Sequence, residues 1–313
     1  MIIDCFPGFD EVKLAMFRLD YLAPAVDLTV IVESSLTHSG RPKELFFSEW
    51  HQSLSKFEQN KIKILHVNLE NYADSWDREI ATREKLVEYL KRNHPQEKFI
   101  ISDLDEIPSL GQLEELKNAD GIFHFLTPTF YRKLNWELTD AHKRWSRGVL
   151  GSVKYLNFVN AGRFDKNLKL LVGLPGAHLS YLGFDDEKLA KKLNSFAHVE
   201  LQNVSVEAQQ VMTISDKYKL DHLGRFRSQG FGLLNIIDCH ENSVVESAAK
   251  TFPQFIDKDK SKPFLLKRLY MSAKLTAYYQ KNLKAKTSLK EIGFKTTLFE
   301  LLIGFLYAAK RQL

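Results

Sequence analysis

The first 125 residues alternate short apolar runs with segments of helical periodicity, and this alternation limits the possible folds more than any other feature. The apolar runs are rich in β-branched and aromatic residues, as buried strands are. Strands that alternate with helices favour a parallel sheet, because each helix carries the chain back across the sheet. We therefore predict an α/β fold with a mostly parallel central sheet flanked by helices. The predicted strands are MIIDCF, DLTVIVES, KIKILHVNL, KFIISD and GIFHFL, and the predicted helices are FDEVKLAMFRLDYL, WDREIATREKLVEYLKRN and SLGQLEELKN, the last with Ser109 as a possible N-cap.

The pattern changes after residue 125, where apolar stretches follow one another without clear helices between them. The stretches TFYRKLNW, NLKLLVGL and AHLSYLG predict strands, and DDEKLAKKLNSF predicts a helix. From residue 251 the chain becomes helical and basic, which divides it into a body, 1–250, and a helical basic C-terminal extension, 251–313. Residues 256–313 carry a net charge of +9, while the rest of the chain carries −4. The extension either binds an anionic membrane surface or glycan, or is a solvated lysine-rich helical face.

Composition excludes several classes of protein. With only Cys5 and Cys239, the chain suits neither a disulfide scaffold nor a cysteine zinc site, and it fits a reducing compartment. The N-terminal residues lack the pattern of a signal peptide, and no segment reaches the roughly 18 apolar residues of a membrane span. A nucleic-acid partner is disfavoured because the positive charge is terminal. We expect a cytoplasmic protein, with the extension as a means of peripheral attachment to the inner face of the plasma membrane.

Three carboxylates end the predicted strand in KFIISDLDEIPSL, where a parallel sheet binds ligands beyond the carboxyl ends of its strands. In an extended backbone Asp103 and Asp105 point to the same side, since side chains alternate with period two. Two carboxylates on one side suit a hard divalent cation such as Mg²⁺ or Mn²⁺, which commonly holds a substrate diphosphate. Glu106 could be a ligand, orient a neighbour or pair with a basic residue. The alternative for the whole motif is a turn and helix cap before Pro108.

Seven stretches, in this order, resemble glycosyltransferase family 17: MIIDCFPGFDE, VIVESSLTHSG, WDREIATREKL, IISDLDEIP, FYRKLNW, GAHLSYLG and SFAHVE. The resemblance runs from residue 1 to about residue 200, and IISDLDEIP and GAHLSYLG are its most specific parts. It implies a GT-A-like nucleotide-sugar-binding fold, a UDP-sugar donor with UDP-N-acetylglucosamine first, Mn²⁺ or Mg²⁺ as cofactor, and inversion at the anomeric carbon.

The resemblance also implies roles for individual residues at the metal. Asp105 is expected to coordinate the metal directly, and Asp103 to contact it through water or to contact the donor ribose. His178 and His198 lie in two of the matching stretches, where either could complete the metal site or touch a phosphate. The alternative for each histidine is a hydrogen-bonded place in the core.

Inversion requires a base that takes the proton of the acceptor hydroxyl. Glu187 follows the stretch GAHLSYLG where the family tends to carry an acidic residue, so the resemblance implies Glu187 as the base, with Asp185 and Asp186 as close seconds. The alternative is that these acids favour the start of a helix through its dipole.

Donor contacts are expected from the neighbouring strands and helices. Arg78 and Arg83 could border the donor site, because a guanidinium matches a phosphate well. The alternative is a surface helix in which Glu79 and Arg83 form an i, i+4 ion pair. Glu33 ends the second strand, where the sheet could meet uridine or ribose.

On the acceptor side we expect a wall that stacks on sugar rings. Its predicted members are Tyr131, Asn135 and Trp136, although Trp136 would equally suit the core.

The leading hypothesis is therefore an inverting, metal-dependent glycosyltransferase. Its expected acceptor is a glycan or lipid-linked glycan, such as a bacterial surface polysaccharide or lipopolysaccharide. Two alternatives stay open: a GT-A enzyme that uses UDP-galactose or UDP-glucose, and a non-catalytic subunit that binds a nucleotide or carbohydrate.

Overall fold

The computed structural model describes residues 1–138, 144–145, 147–157, 167–171, 173–195, 208–221, 233–259, 261, 263–272 and 275. The elements of its first part are β1 (Ile2–Pro7), α1 (Val12–Leu22), β2 (Leu28–Glu33), α2 (Phe46–Ser53), α3 (Lys56–Gln59), β3 (Ile62–His66), α4 (Ser75–Asn93), β4 (Lys98–Ile101), β5 (Glu106–Ile107), α5 (Leu110–Asn118) and β6 (Ile122–His124). The second part contains β7 (Thr127–Tyr131), β8 (Trp136–Leu138), β9 (Arg144–Trp145), β10 (Val149–Ser152), β11 (Ala177–Ser180), α6 (Asp186–Ser195), α7 (Ala208–Tyr218), β12 (Leu234–Ile236) and α8 (Ser243–Thr251).

The first sheet has the strand order β3-β2-β1-β4-β10-β6. Its strands β3, β2, β1 and β4 are parallel, and β10 and β6 continue the sheet in antiparallel pairs. The α/β architecture and the mostly parallel character of this sheet are thus confirmed. All strands and helices predicted before residue 125 are present, and Ser109 caps α5 through a capping box with Gln112.

A second sheet, in the order β12-β8-β7-β11-β5, was not predicted as a separate unit. The stretch TFYRKLNW forms two strands, β7 and β8, because the chain turns at Arg132, whose φ is 60°. The predicted strand NLKLLVGL is not formed in its described residues, which contribute only an isolated bridge between Leu170 and His124.

Burial of β1 on both faces explains why it lies at the centre of the first sheet. Ile3 and Cys5 pack into a cluster with α4, while Ile2 and Phe6 pack into clusters on the opposite side. Burying one large apolar side chain stabilises the fold by about 1.5–3 kcal/mol. A strand with this pattern is stable only between two layers of helices, as parallel strands are.

Asp4 interrupts the apolar run of β1 and forms a buried ion pair with Arg18 of α1. Arg18 Nε and Nη2 donate to the two Asp4 carboxylate oxygens at 2.8 and 2.6 Å, and neither residue is more than 1% exposed. A bidentate pair of this kind is the strong form of an arginine–carboxylate contact. It fixes the face that α1 presents to the sheet.

The rest of the Arg18 guanidinium holds the segment that follows β4. Nη1 donates to the carbonyl oxygens of Asp103, Leu104 and Glu106 at 2.8, 3.1 and 3.0 Å. Nη2 also donates to Ser102 Oγ at 2.8 Å. One side chain therefore joins β1, α1 and the segment that carries the candidate metal ligands.

Described residues beyond 250 pack on the body. Asp257 accepts hydrogen bonds from Trp136 Nε1 at 2.9 Å and from Lys219 Nζ at 2.5 Å. Arg268, in the helical residues 265–272, donates to the carbonyl oxygens of Tyr218, Lys219 and Leu234. The division at residue 250 stays a prediction, and residues 276–313 of the predicted basic extension lie outside the described residues. Within the described part of the chain, no helix combines the length and the apolar character needed to cross a membrane.

We predict that Arg18→Met lowers the free energy of unfolding by about 3–5 kcal/mol, because it leaves the buried Asp4 carboxylate without its cation. Urea denaturation at pH 7 measures the effect. Arg92→Met on the exposed side of α4 is the matched control, with an expected change below about 0.5 kcal/mol. A loss under about 1 kcal/mol for Arg18→Met would show that the pair is not needed.

Candidate active site

The candidate site lies at the carboxyl edge of the parallel strands, where β1, β2 and β4 end. Binding sites of open α/β sheets occur at this edge. Helix α6 covers it from one side: Lys191 Nζ lies 2.5 Å from Asp10 Oδ2, and Lys192 Nζ lies 3.2 Å from Glu11 Oε1. At the last residue of α6, the Ser39 N–H donates to the Ser195 carbonyl oxygen at 3.4 Å. The helix thus contacts the loops that follow β1 and β2.

Residues 103–106 form a turn, and the extended backbone that we predicted for this segment is wrong. The Glu106 N–H donates to the Asp103 carbonyl oxygen at 3.0 Å, as in a β-turn, and the contacts of Arg18 with three carbonyl oxygens stabilise this conformation. The Asp103 side chain consequently meets α4, and the Asp105 side chain meets β11. The two carboxylates therefore do not reach this edge through the alternation of side chains along an extended strand.

Asp103 is held by Arg83, which is buried. Arg83 Nη2 donates to Asp103 Oδ1 at 2.6 Å and lies 3.5 Å from Glu79 Oε1, so the predicted i, i+4 pair also exists. Nε and Nη1 of Arg83 are buried and have no hydrogen-bond acceptor among the described residues. The arrangement orients the carboxylate and leaves the Asp103 side chain 36% exposed at the rim.

Arg78 lies one turn before Thr82 on α4 and closes the loop after β2. Its Nη1 donates to the His38 carbonyl oxygen at 3.1 Å. The guanidinium also packs on Gly40, where an added Cβ would lie 3.1 Å from Cζ and where φ is +84°, so a side chain would be strained there. Arg78 thereby supports the loop that borders the site.

Asp105 pairs with His178, which β11 brings beside it. His178 Nε2 lies 3.5 Å from Asp105 Oδ2, and His178 is in register with Glu106 of β5. Burial by itself would raise the pKa of Asp105, but the His178 imidazolium outweighs it and lowers that pKa. Burial would likewise lower the pKa of His178, and Asp105 and Glu106 reverse this effect and raise it. Without other ligands the pair is therefore ionised over a wide pH range.

This donor set fits a divalent ion only in part. Asp105 supplies a charged oxygen and His178 a nitrogen, but no group of three or more metal-binding side chains occurs among the described residues. Mg²⁺ sites commonly use one or two carboxylates and take their other ligands from phosphates and water. The residues fit an ion that arrives with a phosphorylated substrate. His198 lies outside the described residues.

Glu106 and Glu33 have structural contacts. The buried Glu106 carboxylate accepts the Asp103 N–H at 3.2 Å, so it orients its neighbour in the turn. Glu33 caps α2: its oxygens accept the N–H groups of Phe47 and Ser48 at 2.9 and 3.0 Å, and Lys43 Nζ lies 3.6 Å away. A nucleotide would have to displace these bonds to reach the Glu33 carboxylate.

The acidic residues at the start of α6 occupy different positions. Asp185 Oδ1 accepts the Lys188 N–H at 2.8 Å, which is the helix-capping contact considered as its alternative. Glu187 is exposed in the first turn of α6, one turn before Lys191. The side chain of Asp186 lies outside the described residues.

The three residues predicted as an acceptor wall are buried. Tyr131 stacks on Tyr181 with ring centroids 6.1 Å apart. Asn135 exchanges hydrogen bonds with the backbone of Asp257, both at 2.9 Å, and Trp136 packs under Lys219. The three residues lie in the interior because β7 and β8 belong to the second sheet. Their side chains therefore form no exposed surface on which a sugar ring could stack.

Sequence reasoning missed Arg18, His38, Lys43 and the lysines of α6. His38 lies beside Thr82 and Arg83, and burial lowers its pKa, which keeps the imidazole neutral. Asp4 within MIIDCF was a signal for a buried basic partner, because a carboxylate in a central strand needs one. The lysines carried no comparable signal, since lysine is common on any exposed helix face.

We predict that Asp105→Asn returns the pKa of His178 towards its ordinary value, because the mutation removes the largest favourable interaction of the imidazolium. A folded-state pKa that is raised stabilises the protein below the ordinary histidine pKa of about 6.5, and this contribution is lost as pH rises through the folded-state value. Histidine NMR titration without metal measures the change. Asp120→Asn, at an exposed carboxylate, is the control. An unchanged His178 titration in Asp105→Asn would contradict the pairing.

Comparison with known proteins identifies the family of this chain. The family model for glycosyltransferase family 17 matches residues 2–218. Similar curated proteins are the β-1,4-mannosyl-glycoprotein 4-β-N-acetylglucosaminyltransferases of Homo sapiens and Rattus norvegicus, each 33% identical over 121 residues, and of Mus musculus, 32% identical. Each match covers 36% of this chain and 22% of the relative, so the chain aligns with about a fifth of each relative's length. The extent of the family match shows that this chain belongs to glycosyltransferase family 17.

Proposed function

We propose that this glycosyltransferase transfers N-acetylglucosamine from UDP-N-acetylglucosamine to a glycan acceptor, with inversion at the anomeric carbon, on a GT-A-like fold. The observation that carries the proposal is the turn at residues 103–106, which presents one carboxylate held by Arg83 and a second beside His178 at the carboxyl edge of the sheet. The relatives are named as N-acetylglucosaminyltransferases, which supports this choice of sugar.

A divalent ion, Mn²⁺ or Mg²⁺, belongs to this proposal. Asp105 and His178 are its proposed protein ligands, and the bound ion would neutralise charge on the departing diphosphate. Asp103 is already oriented by Arg83 and its side chain is 36% exposed, so it can accept a hydrogen bond from the donor ribose or from a water molecule. Arg83 itself keeps this carboxylate in place as the donor enters.

Glu187 is the proposed base. Its exposed carboxylate on α6 takes the proton of the acceptor hydroxyl while the hydroxyl oxygen attacks the anomeric carbon. The bond between that carbon and the diphosphate oxygen breaks, and UDP leaves with the electron pair. Asp185 is the weaker candidate because its oxygen caps the helix. Asp186 keeps its place as a second candidate from the family resemblance.

The acceptor and the cellular location complete the proposal. We take the acceptor to be a glycan or lipid-linked glycan of a bacterial surface polysaccharide or lipopolysaccharide, made at the cytoplasmic face of the membrane. The basic composition of residues 256–313, with a net charge of +9, supports attachment to an anionic surface.

We predict that EDTA abolishes transfer and that Asp105→Asn lowers kcat/KM by at least about 100-fold, because both remove the proposed charge neutralisation. Transfer from UDP-N-acetylglucosamine, UDP-galactose and UDP-glucose to glycan extracts is measured in parallel, and the first donor should give the highest rate. Asp120→Asn is the control. Full transfer in EDTA would refute the metal, and UDP binding without any transfer would favour the non-catalytic subunit.

We predict that Glu187→Gln lowers kcat by about 10²- to 10⁴-fold and leaves UDP affinity unchanged, since a base acts on the acceptor and not on the donor. Single-turnover kinetics and UDP titration separate the two quantities. Glu115→Gln, an exposed acid on α5, is the control. Normal turnover in Glu187→Gln together with an inactive Asp185→Asn would move the role to Asp185.

A further inference from the structure

The two adjacent lysines of α6, Lys191 and Lys192, differ in how far their side chains are exposed. Attachment of the helix to the loop after β1 does not explain this difference. Both pair with a carboxylate of the loop after β1, Lys191 with Asp10 and Lys192 with Glu11. The Lys191 side chain is 54% exposed, whereas that of Lys192 is only 14% exposed. An exposed pair suffices for attachment, and burying a second ammonium is costly unless it has a further role.

Two aromatic rings and one carboxylate surround the Lys192 ammonium and fix its position. Its Nζ lies 5.0 Å from the centroid of the Tyr181 ring and 5.1 Å from that of Phe184, within cation–π range of both. The two rings pack edge to face, 5.3 Å apart, and Glu11 binds the ammonium at 3.2 Å. A cation fixed before the substrate arrives needs little reorganisation during the reaction.

The Lys192 ammonium interacts electrostatically with the candidate metal ligand Asp105. Burial alone would lower the pKa of Lys192, but the carboxylates of Glu11 and Asp105 outweigh it and raise that pKa above its usual range. The ammonium in turn helps to lower the pKa of Asp105. By geometry, Lys192 lies on the ring of Tyr181, which directly follows β11, the strand whose His178 pairs with Asp105.

Nearby basic side chains also have carboxylate partners. Arg83 is engaged by Asp103, and Lys43 lies beside Glu33, with burial lowering the pKa of its ammonium. Lys192 differs from Arg83 and Lys43 in that its partner, Glu11, belongs to the loop after β1 and has a side chain that is 23% exposed.

We propose that Lys192 binds the diphosphate of the nucleotide-sugar donor and stabilises the negative charge that develops as UDP leaves. The bond from the anomeric carbon to the diphosphate oxygen breaks, both electrons stay on that oxygen, and Lys192 retains its proton. This inference rests on the proposed function and names a catalytic residue for the same site.

Isothermal titration calorimetry of the full chain, with and without Mn²⁺, tests the inference with UDP and uridine as probes. Lys192→Met keeps the unbranched stem on the two rings and removes the charge. Lys154→Met is the matched control: Lys154 also pairs with a carboxylate, Asp120 at 3.0 Å, and lies over a ring, Tyr155 at 4.6 Å. It follows β10, whose end pairs with the start of β4, so it lies at the opposite edge of the sheet.

We expect Lys192→Met to weaken UDP binding by about tenfold or more, as loss of a charged hydrogen bond does, and to leave uridine binding unchanged. Lys154→Met should change neither. Glu11→Gln removes the partner of Lys192 but keeps the cation, so UDP should bind at least as tightly as to the wild type.

A role in attachment alone predicts a different pattern and would overturn the inference: UDP and uridine would weaken together, and Glu11→Gln would behave like Lys192→Met. If Lys192→Met does not fold, weaker UDP binding by Glu11→Gln overturns the inference by itself. Equal UDP affinity of wild type and Lys192→Met rejects the role of Lys192 and leaves the proposed function standing. A wild-type chain that binds no UDP rejects both.

Discussion

The contact between Arg18 and Asp4 is the interaction on which the candidate site depends. An arginine inside a protein is stable only when its donors are satisfied, and here a carboxylate, a hydroxyl and three carbonyl oxygens satisfy them. The carbonyl oxygens belong to the turn that carries the candidate metal ligands. The same guanidinium thus contributes to the stability of the core and to the geometry of the site. A change at Arg18 would therefore affect both.

Opposite charges alternate along the edge of the sheet. Arg83 faces Asp103, His178 faces Asp105, and Lys192 lies between Glu11 and Asp105. Burial opposes the charged forms of Asp105, His178 and Lys192, and the opposite charges beside these three groups outweigh it. Such an edge can bind a phosphorylated ligand together with its metal ion. The phosphate would lie near a cation of the edge, and the metal ion would lie near a carboxylate.

Sequence patterns predicted what depends on local contacts. The alternation of apolar residues placed β1 to β4 and α4, and Ser109 was recognised as a cap because a cap is satisfied within three residues. Arg18 reaches carbonyl groups 85 to 88 positions away, and no local pattern encodes that distance. For this reason the turn at 103–106 was only the alternative to an extended backbone. The buried places of Tyr131 and Asn135 were missed, and that of Trp136 was only the alternative considered, because these places depend on a second sheet that the pattern did not separate from the first.

The turn also joins two sheets: β4 before it belongs to the first, and β5 after it belongs to the second. Both strands are fixed in register with their neighbours, β4 with β1 and β5 with β11. One extra residue in the connecting stretch would therefore have to bulge out of the turn or shift the register of one of the two sheets. The length of this segment thus constrains the fold as much as its side chains do, and we expect it to tolerate exchanges of side chain more readily than insertions.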